Sequence, residues 1–298
     1  PLNCDALVLD ECSMVDITLM SSLLKALKPG CRLVLVGDAD QLPSVGPGNV
    51  FSDIIRSQTV PTVRLTEIFR QKGDSRIVRN AHMINRGEHP DFEANTGDFF
   101  RLRRLKGGTA VETIVELCAR RLPENMKIPS ASIQVLSPTR KGETGTANLN
   151  KRLQAALNPP SESKKEKLFG EAVFRVGDRV IQIKNNYDTI WKTKGGVSGA
   201  GVYNGDIGTI AQIDPITETL TVDFEDKLAT YSFEMLNELE HAWALTVHKS
   251  QGSEYRAVVL ALSGDVQMLL TRGVLYTAVT RAKELLIMVG DDNIAHRM

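Results

Sequence analysis

The chain has 298 residues, of which 42% are hydrophobic, and this length suffices for two domains that each bury a core. Its 36 basic and 36 acidic side chains cancel, so net charge does not point to a nucleic-acid partner and any basic surface must be local. The four cysteines form no CxxC pair, which argues against a zinc site or a disulfide framework and indicates reduced thiols. Apolar runs are too short for a bilayer, so we expect a cytoplasmic protein with no membrane partner.

The N-terminal stretch alternates short apolar strands with helical spacing. We predict strands at 6–9 and 32–36, with a helix over 16–27 between them. This alternation is typical of a parallel α/β sheet. Both strands run into acidic residues, and ligands of open α/β sheets bind at the carboxyl ends of the strands.

A second α/β domain is predicted from residue 97 onward, after a connection of helical spacing at 67–87. Its predicted elements are a helix at 110–121 and strands at 99–102, 133–136, 258–262 and 285–289. The predicted strands are short and almost wholly apolar, as in sheets that are covered on both faces.

A region with a period of two residues interrupts this second domain. It follows the charged stretch 161–167, SESKKEK, which we interpret as an exposed loop, and we also interpret the glycine-rich stretch 194–201 as a loop. The strands predicted for a small antiparallel barrel are 178–183, 208–213, 220–224 and 229–233. The predicted domains are 1–96, then 97–168 together with 236–298, and the inserted barrel at 169–235.

Two strand ends carry residues that suit a magnesium–nucleotide site. The first strand delivers Asp10 and Glu11, of which one carboxylate can hold hydrated Mg²⁺ and the other can polarise an attacking water. The second strand ends at Asp38 and is followed by Gln41 and a glycine turn, where an amide suits a sensor of the γ-phosphate. A single strand ending in Asp-Glu is as often a solvated strand end, but the repeated pattern favours the nucleotide site.

Six strings resemble, in family order, the motifs of superfamily 1 DNA helicases of the RecD-like family. They are LVLDECSMVD, VGDADQLPSVGPG, LTEIFRQ, VLSPTRKGETGTANLN, ALTVHKSQGSEY and LYTAVTRAK. A further string, VYNGDIGTI, is similar to a segment of the small barrel that these enzymes insert in the second motor domain. The resemblance implies an α/β fold of RecA-like P-loop NTPase motor domains, the first one partial, with an antiparallel β-barrel of the Src-homology type in the second.

The resemblance also implies a nucleotide site shared by both motor domains, with ATP and Mg²⁺ as cofactors. By it, Asp10 would hold the metal, Glu11 would activate water and Gln41 would read the γ-phosphate. Arg70 and Arg281 would neutralise charge in the phosphoryl-transfer transition state, Arg281 from the second domain across the cleft. An arginine chosen at random is more often part of a structural ion pair, but the motifs around these two favour the catalytic role. The further nucleotide contacts implied are Gln251, Gly252 and Glu254.

A track for single-stranded DNA across both domains is implied as well. Hydroxyls, amides and helix N-termini, rather than a strong positive field, would meet its phosphates. Asn204 and Gly205 are interpreted as a β-turn, and Trp191 and Trp243 as packing residues. The candidate DNA contacts are Pro138, Thr139, Arg140, Thr246, His248 and Lys249. The implied partners are single-stranded DNA and duplex junctions, with other recombination or repair subunits as further candidates.

The implied function is an ATP-dependent DNA helicase that moves 5′ to 3′ along single-stranded DNA. Three alternatives stay open: the alpha subunit of a multi-subunit exonuclease V complex, the helicase half of a conjugative relaxase, and a module that binds DNA or protein without catalysis. The presence of the acids, the glutamine and both arginines favours a working motor. A nuclease is disfavoured because no second carboxylate cluster suggests a two-metal site.

The phosphate-binding string GxxxxGK[ST] is absent, since Gly-Lys occurs nowhere in the 298 residues. Backbone amides and the lysine of that loop cradle the β- and γ-phosphates. In the family the loop precedes the Asp-Glu motif, so we expect this chain to be the C-terminal part of a motor whose missing N-terminal part is its partner. We predict that the chain alone neither binds ATP tightly nor hydrolyses it. DNA-stimulated phosphate release by the purified chain at ordinary helicase rates would contradict this.

Overall fold

The structure is a computed structural model of the chain, and it describes residues 1–65, 75–91, 97–262 and 269–298, with only the backbone of Asp292 and His296. Its strands form two parallel sheets, one larger antiparallel sheet and one hairpin. Within these ranges no helix has the length and apolar character needed to cross a membrane.

The first lobe, residues 1–65, contains a two-stranded parallel sheet. Its elements are β1 (Ala6–Leu9), α1 (Ile17–Ala26), β2 (Arg32–Leu35) and α2 (Val50–Ser57). The Asp16 side chain caps α1 by accepting a hydrogen bond from Leu19 N at 2.7 Å. These bounds confirm both predicted strands and the predicted helix.

The second lobe is built on a five-stranded parallel sheet with the order β14–β4–β15–β16–β3. The strands are β3 (Phe99–Arg103), β4 (Ile133–Ser137), β14 (Ala244–Thr246), β15 (Tyr255–Leu262) and β16 (Ala282–Gly290). Its helices are α3 (Arg76–Arg86), α4 (Gly107–Glu116), α5 (Leu122–Met126), α6 (Thr146–Leu157), α7 (Arg272–Thr280) and α8 (Asp292–Arg297). The four strands and the helix predicted for this domain are confirmed, the helix as α4 followed by a π-helical turn at Leu117–Arg121.

Both faces of this sheet are covered, which explains why its strands are almost wholly apolar. Val258 and Val259, neighbours on β15, are both fully buried but belong to different core clusters. Helices α3 and α7 pack on one face, and α4 and α6 pack on the other. The domain limits stay a prediction. Ile77, Ala81 and Ile84 of α3 precede residue 97, the predicted start of the second domain, and yet they lie in the core of the second lobe.

The inserted region forms an antiparallel sheet with the order β13–β7–β10–β11–β12–β8–β9. Its strands are β7 (Arg179–Gln182), β8 (Asn186–Thr193), β9 (Ser198–Val202), β10 (Ile207–Asp214), β11 (Thr219–Phe224), β12 (Lys227–Ser232) and β13 (Leu239–His241). A hairpin of β5 (Glu166–Phe169) and β6 (Ala172–Arg175) precedes it, and Phe174 joins Ile210, Leu220 and Tyr231 in a common core. All four predicted barrel strands are confirmed. The predicted loop 161–167 is wrong at its end, because β5 begins at Glu166 and pairs with Arg175.

The interpretation of 194–201 as a loop is wrong for its second half, which is part of β9. Gly199 lies opposite Trp191 of β8, and a Cβ on Gly199 would be 2.3 Å from Cζ2 of that indole. The ring therefore lies over the glycine, and with glycine at two of its five positions this strand shows no period of two in the sequence. Trp191 is a packing residue, as interpreted. Gly205 makes the expected turn with φ 102°, where Asp206 N donates to Tyr203 O at 3.0 Å.

We predict that Gly199→Ala destabilises the protein by about 1–3 kcal/mol, because the methyl group must displace the indole of Trp191. The matched control is Gly195→Ala, where the nearest atom to a new Cβ, Thr193 Oγ1, is 3.8 Å away. Urea unfolding followed by tryptophan fluorescence measures both. Equal stability of the two variants would contradict the close packing of Gly199 and Trp191.

Candidate nucleotide and DNA site

The two lobes meet where the loop after β2 lies against α7, a contact that we call the lobe seam and define by Leu42, Gln251 and Thr277. Leu42 N donates to Thr277 Oγ1 at 3.0 Å, and Gln251 Nε2 donates to Leu42 O at 2.7 Å. The Leu42 side chain is 6% exposed and belongs to the core of the second lobe. Backbone and side chain of one residue therefore hold the first lobe to the second.

Asp38 lies next to the lobe seam and links two side chains of different lobes. Its Oδ2 accepts hydrogen bonds from Tyr276 OH at 3.0 Å and from Gln41 Nε2 at 3.2 Å. Burial, reinforced by Asp38, raises the pKa of Tyr276, so this phenol keeps its proton and remains a donor. With Nε2 engaged, Gln41 Oε1 is buried without a hydrogen-bond partner in the described part of the chain. This oxygen is positioned to accept a hydrogen bond from a donor outside the described residues.

Arg281 is a buried cation, with 4% of its surface exposed. Its guanidinium donates to Thr277 O at 3.2 Å, Ser253 O at 3.0 Å and Thr280 Oγ1 at 3.3 Å, all of them neutral oxygens. Burial lowers the pKa of Arg281, while negative charges, first of all those of Glu11 and Glu254, raise it. Because Glu11 belongs to the first lobe, the cation of one lobe lies within electrostatic range of an acid of the other.

The carboxylates of the first lobe lie together at the end of its sheet. Cys12 N donates to Val36 O at 2.9 Å, so the segments after β1 and β2 stay side by side. Asp10 is exposed, and its Oδ1 accepts from Glu11 N at 2.8 Å. Glu11 has φ 52°, a left-handed backbone conformation that costs a non-glycine residue energy and is typical of functional sites.

The groups at this edge fit a magnesium–nucleotide complex. Mg²⁺ is usually held by one or two carboxylates plus phosphate oxygens, and Asp10 offers an exposed carboxylate. A triphosphate also requires cationic donors, and Arg281 has a guanidinium without a direct carboxylate partner among its hydrogen bonds. The unpartnered Gln41 Oε1 suits a water beside a phosphate.

The predicted nucleotide residues differ in how far the structure brings them together. Glu11, Gln41, Glu254 and Arg281 lie around Asp38 or within electrostatic range of Arg281. Asp10 precedes Glu11 at the same strand end, and Gln251 belongs to the lobe seam, next to Gly252 with φ 73°. Arg70 lies outside the described residues.

The predicted DNA residues come from two loops that leave the sheet at one edge. Thr246 of β14 is in register with Ser137 of β4, so the segments 138–140 and 246–249 follow neighbouring strand ends. Arg140 is exposed, and Lys249 and His248 are partly exposed. Burial lowers the pKa of His248, so its imidazole is neutral at pH 7 and offers DNA a hydrogen-bonding group and no positive charge.

The remaining three candidates have side chains that point less clearly to DNA. Pro138 and Thr139 are buried, and the Thr139 hydroxyl donates to Lys141 O at 3.1 Å. Thr246 Oγ1 accepts from Lys249 N at 3.3 Å. Because their side chains are buried, Pro138 and Thr139 contribute to the shape of the loop that carries Arg140.

Sequence patterns alone did not identify the contacts of several site residues. Asp38 ends a strand and was recognised as an acid, but only the fold shows that it links Gln41 to Tyr276. Tyr276 and Thr277 lie inside the string LYTAVTRAK, where the arginine alone had a predicted role. Glu240 lies outside all of the motifs, yet its carboxylate pairs with both Arg140 and Lys249.

Three family models match the chain in order. Residues 3–100 match an AAA domain, residues 149–224 match the "ATP-dependent RecD-like DNA helicase SH3 domain", and residues 241–289 match the "UvrD-like helicase C-terminal domain". The matches correspond to the first lobe with its connection, the barrel region and the C-terminal part of the second lobe.

Solved structures give the same fold. A Pif1 helicase from Candida albicans superposes with a TM-score of 0.56 at 23% identity, covering 96% of this chain and 71% of that one. A Pif1 helicase from Bacteroides, solved with ADP-AlF3 and ssDNA, has a TM-score of 0.56 at 18% identity, covering 96% of this chain and 70% of that one. The fold is that of a RecA-like helicase motor with an inserted SH3-type barrel.

Two sequence relatives show which group of helicases the chain is similar to. The ATP-dependent RecD2 DNA helicase of Deinococcus radiodurans is 35% identical over 97% of this chain and 37% of its own length. The RecBCD enzyme subunit RecD of Mycolicibacterium smegmatis is 31% identical over 96% of this chain and 50% of its own length. The chain is therefore related to the RecD-like DNA helicases along nearly its whole length, and it spans half or less of these two relatives.

We predict that Thr277→Val destabilises the lobe seam by about 1–3 kcal/mol, because it leaves the buried Leu42 N–H without an acceptor. Thr230→Val is the matched control, since Thr230 is exposed on β12 of the barrel. Chemical unfolding of both variants measures the difference. A Thr277→Val protein as stable as the control would show that the seam hydrogen bond contributes nothing.

Proposed function

We propose that the protein carrying this sequence is an ATP-dependent DNA helicase of the RecD-like type that moves 5′ to 3′ along single-stranded DNA in the cytoplasm. The observation that carries the proposal is the buried Arg281 of the second lobe, whose charge interacts with Glu11 and Asp38 of the first. A cation placed between lobes in this way suits a site that works when both lobes act on one triphosphate.

Each residue of the site has a proposed role. Asp10 would hold Mg²⁺, which when bound supplies charge neutralisation at the phosphates. Glu11 would orient the attacking water and accept its proton, and Gln41 Oε1 would accept a hydrogen bond from that water. Arg281 would stabilise the charge that develops on the phosphoryl oxygens. The role of Arg70 stays a prediction from its motif.

We propose that residues outside this sequence supply the loop that cradles the β- and γ-phosphates, since no Gly-Lys occurs within it. The greater length of the RecD2 and RecD relatives supports this part of the proposal. Gly252, Gln251 and Glu254 are proposed as further nucleotide contacts on the second lobe, next to the lobe seam.

The lobe seam offers a direct route between nucleotide and DNA. Gln251 bonds the loop that carries Gln41, and the turn before it, His248–Ser250, carries two of the predicted DNA contacts. A change at the γ-phosphate that moves Gln41 would therefore shift Lys249 and His248 through one hydrogen bond and a short stretch of chain. We propose that this coupling changes the grip on the strand as the cleft closes and opens.

The DNA track proposed for the second lobe consists of Arg140, His248 and Lys249, with Thr246 and the backbone of Pro138 and Thr139 beside them. Phosphate contacts of this kind fix the position of the strand and do not read its sequence. Single-stranded DNA and duplex junctions are the proposed substrates. A subunit of an exonuclease V complex is the second candidate, favoured by the 31% identity to the RecBCD enzyme subunit RecD of M. smegmatis.

We predict that Arg281→Ala, made in the complete protein, lowers the DNA-stimulated ATPase rate by about 10³-fold or more, because the transition-state charge loses its cation. Binding of single-stranded DNA should change little, since Arg281 is buried and Arg140 of the proposed track is exposed. Phosphate release and fluorescence anisotropy measure the two effects.

Two controls separate catalysis from folding in this experiment. Arg256→Ala removes an exposed arginine that pairs with Glu284 at 2.7 Å, and it should leave the ATPase rate unchanged. Arg281→Lys keeps the positive charge but lacks the planar set of donors. This variant should fold, yet recover little of the ATPase rate that Arg281→Ala loses. An Arg281→Ala protein that hydrolyses ATP at the wild-type rate would refute the proposed role.

A further inference from the structure

One carboxylate neutralises both exposed cations of the proposed DNA track. Glu240 Oε1 lies 3.1 Å from Arg140 Nη2, and Glu240 Oε2 lies 2.7 Å from Lys249 Nζ. The two oxygens of one group thus serve two cations that come from different loops. A DNA phosphate, which also presents several oxygens, is the other ligand that such a pair of cations suits.

The three side chains come from different parts of the fold. Arg140 follows β4 and Lys249 follows β14, both in the second lobe. Glu240 is on β13, where it is in register with Ile181 of β7 at the edge of the barrel sheet. The edge strand β13 of the antiparallel sheet therefore supplies the anion, and two loops of the parallel sheet supply the cations.

The exposure of the group allows exchange with a ligand. The side chains of Arg140, Lys249 and Glu240 are 69%, 34% and 29% exposed. Ion pairs that are exposed to this degree are weak, since water and salt screen them. A phosphate that arrives with the DNA backbone can displace such a carboxylate without exposing a buried charge.

The geometry points to Glu240 as a built-in competitor of the DNA phosphate, which holds Arg140 and Lys249 when DNA is absent and weakens the grip on the strand. The inference rests on the proposed function, in which Arg140 and Lys249 contact DNA. It adds a residue that sets the strength of binding. Moderate affinity suits a motor that has to release each phosphate as it steps along the strand.

The test is Glu240→Gln in the complete protein without nucleotide, because glutamine keeps the shape of the side chain and removes its charge. Binding of a fluorescent oligo-dT at about 0.1 M salt should tighten about fivefold, the size expected for the loss of two exposed ion pairs. The slope of log affinity against log salt should become steeper, because in the wild type the displaced carboxylate takes up a salt cation and offsets part of the counterion release.

Glu234→Gln is the control with the same change of net charge, at an exposed carboxylate of the barrel region. Arg140→Ala/Lys249→Ala supplies the background in which the cations are missing. In that background Glu240→Gln should raise the affinity for DNA no more than Glu234→Gln does, because the two cations that Glu240 pairs with are absent.

The outcomes separate this inference from the proposed function. If Arg140→Ala/Lys249→Ala weakens DNA binding but Glu240→Gln binds no tighter than Glu234→Gln, the competitor role of Glu240 is wrong and the DNA track stands. If Arg140→Ala/Lys249→Ala binds DNA as tightly as the wild type, the proposed track is wrong and the role of Glu240 falls with it.

Discussion

The buried guanidinium of Arg281 is the constraint around which the two lobes are arranged. A cation taken out of water is expensive unless hydrogen bonds and opposite charges compensate it, and here the hydrogen bonds come from its own lobe. The opposing charge comes from Glu11 and Asp38 on the other lobe and from Glu254 on its own. Separation of the lobes would leave this charge less compensated, so electrostatics and the Leu42 contact favour the same closed arrangement.

The barrel is anchored to the second lobe by polar contacts as well as by chain connection. Asp178 is fully buried just before β7, and its carboxylate accepts hydrogen bonds from Gln154 at 2.6 Å and Asn158 at 2.8 Å. Both partners belong to α6 or its end, while His241 approaches the same carboxylate from β13. A buried carboxylate that is satisfied in this way fixes orientation more than an apolar contact does, because each hydrogen bond has a required direction. The position of Glu240 on β13 depends on this anchoring.

Much of the fold was predictable from local patterns. The central strands of the five-stranded parallel sheet contain continuous apolar runs because both faces are buried, and period two marks β7, β10, β11 and β12. The strand β9 was not predicted, because Gly199, which lies opposite Trp191 under its indole, has no side chain that could contribute to an alternating pattern. Likewise, α3 belongs to the second core although its place in the chain suggests a connection.

The sequence alone predicts the kind of chemistry proposed for the site, because Asp10, Gln41 and Arg281 stand in motifs that specify both their residue type and their spacing. Tertiary structure decided which groups meet. Asp38 accepts a hydrogen bond from Tyr276, 238 positions later in the chain, and Glu240 pairs with Arg140 of a different loop, and local pattern encodes neither contact. The physical reason is that strand order and register, set by packing of the whole sheet, bring distant strand ends to one edge, and charge balance is settled only there.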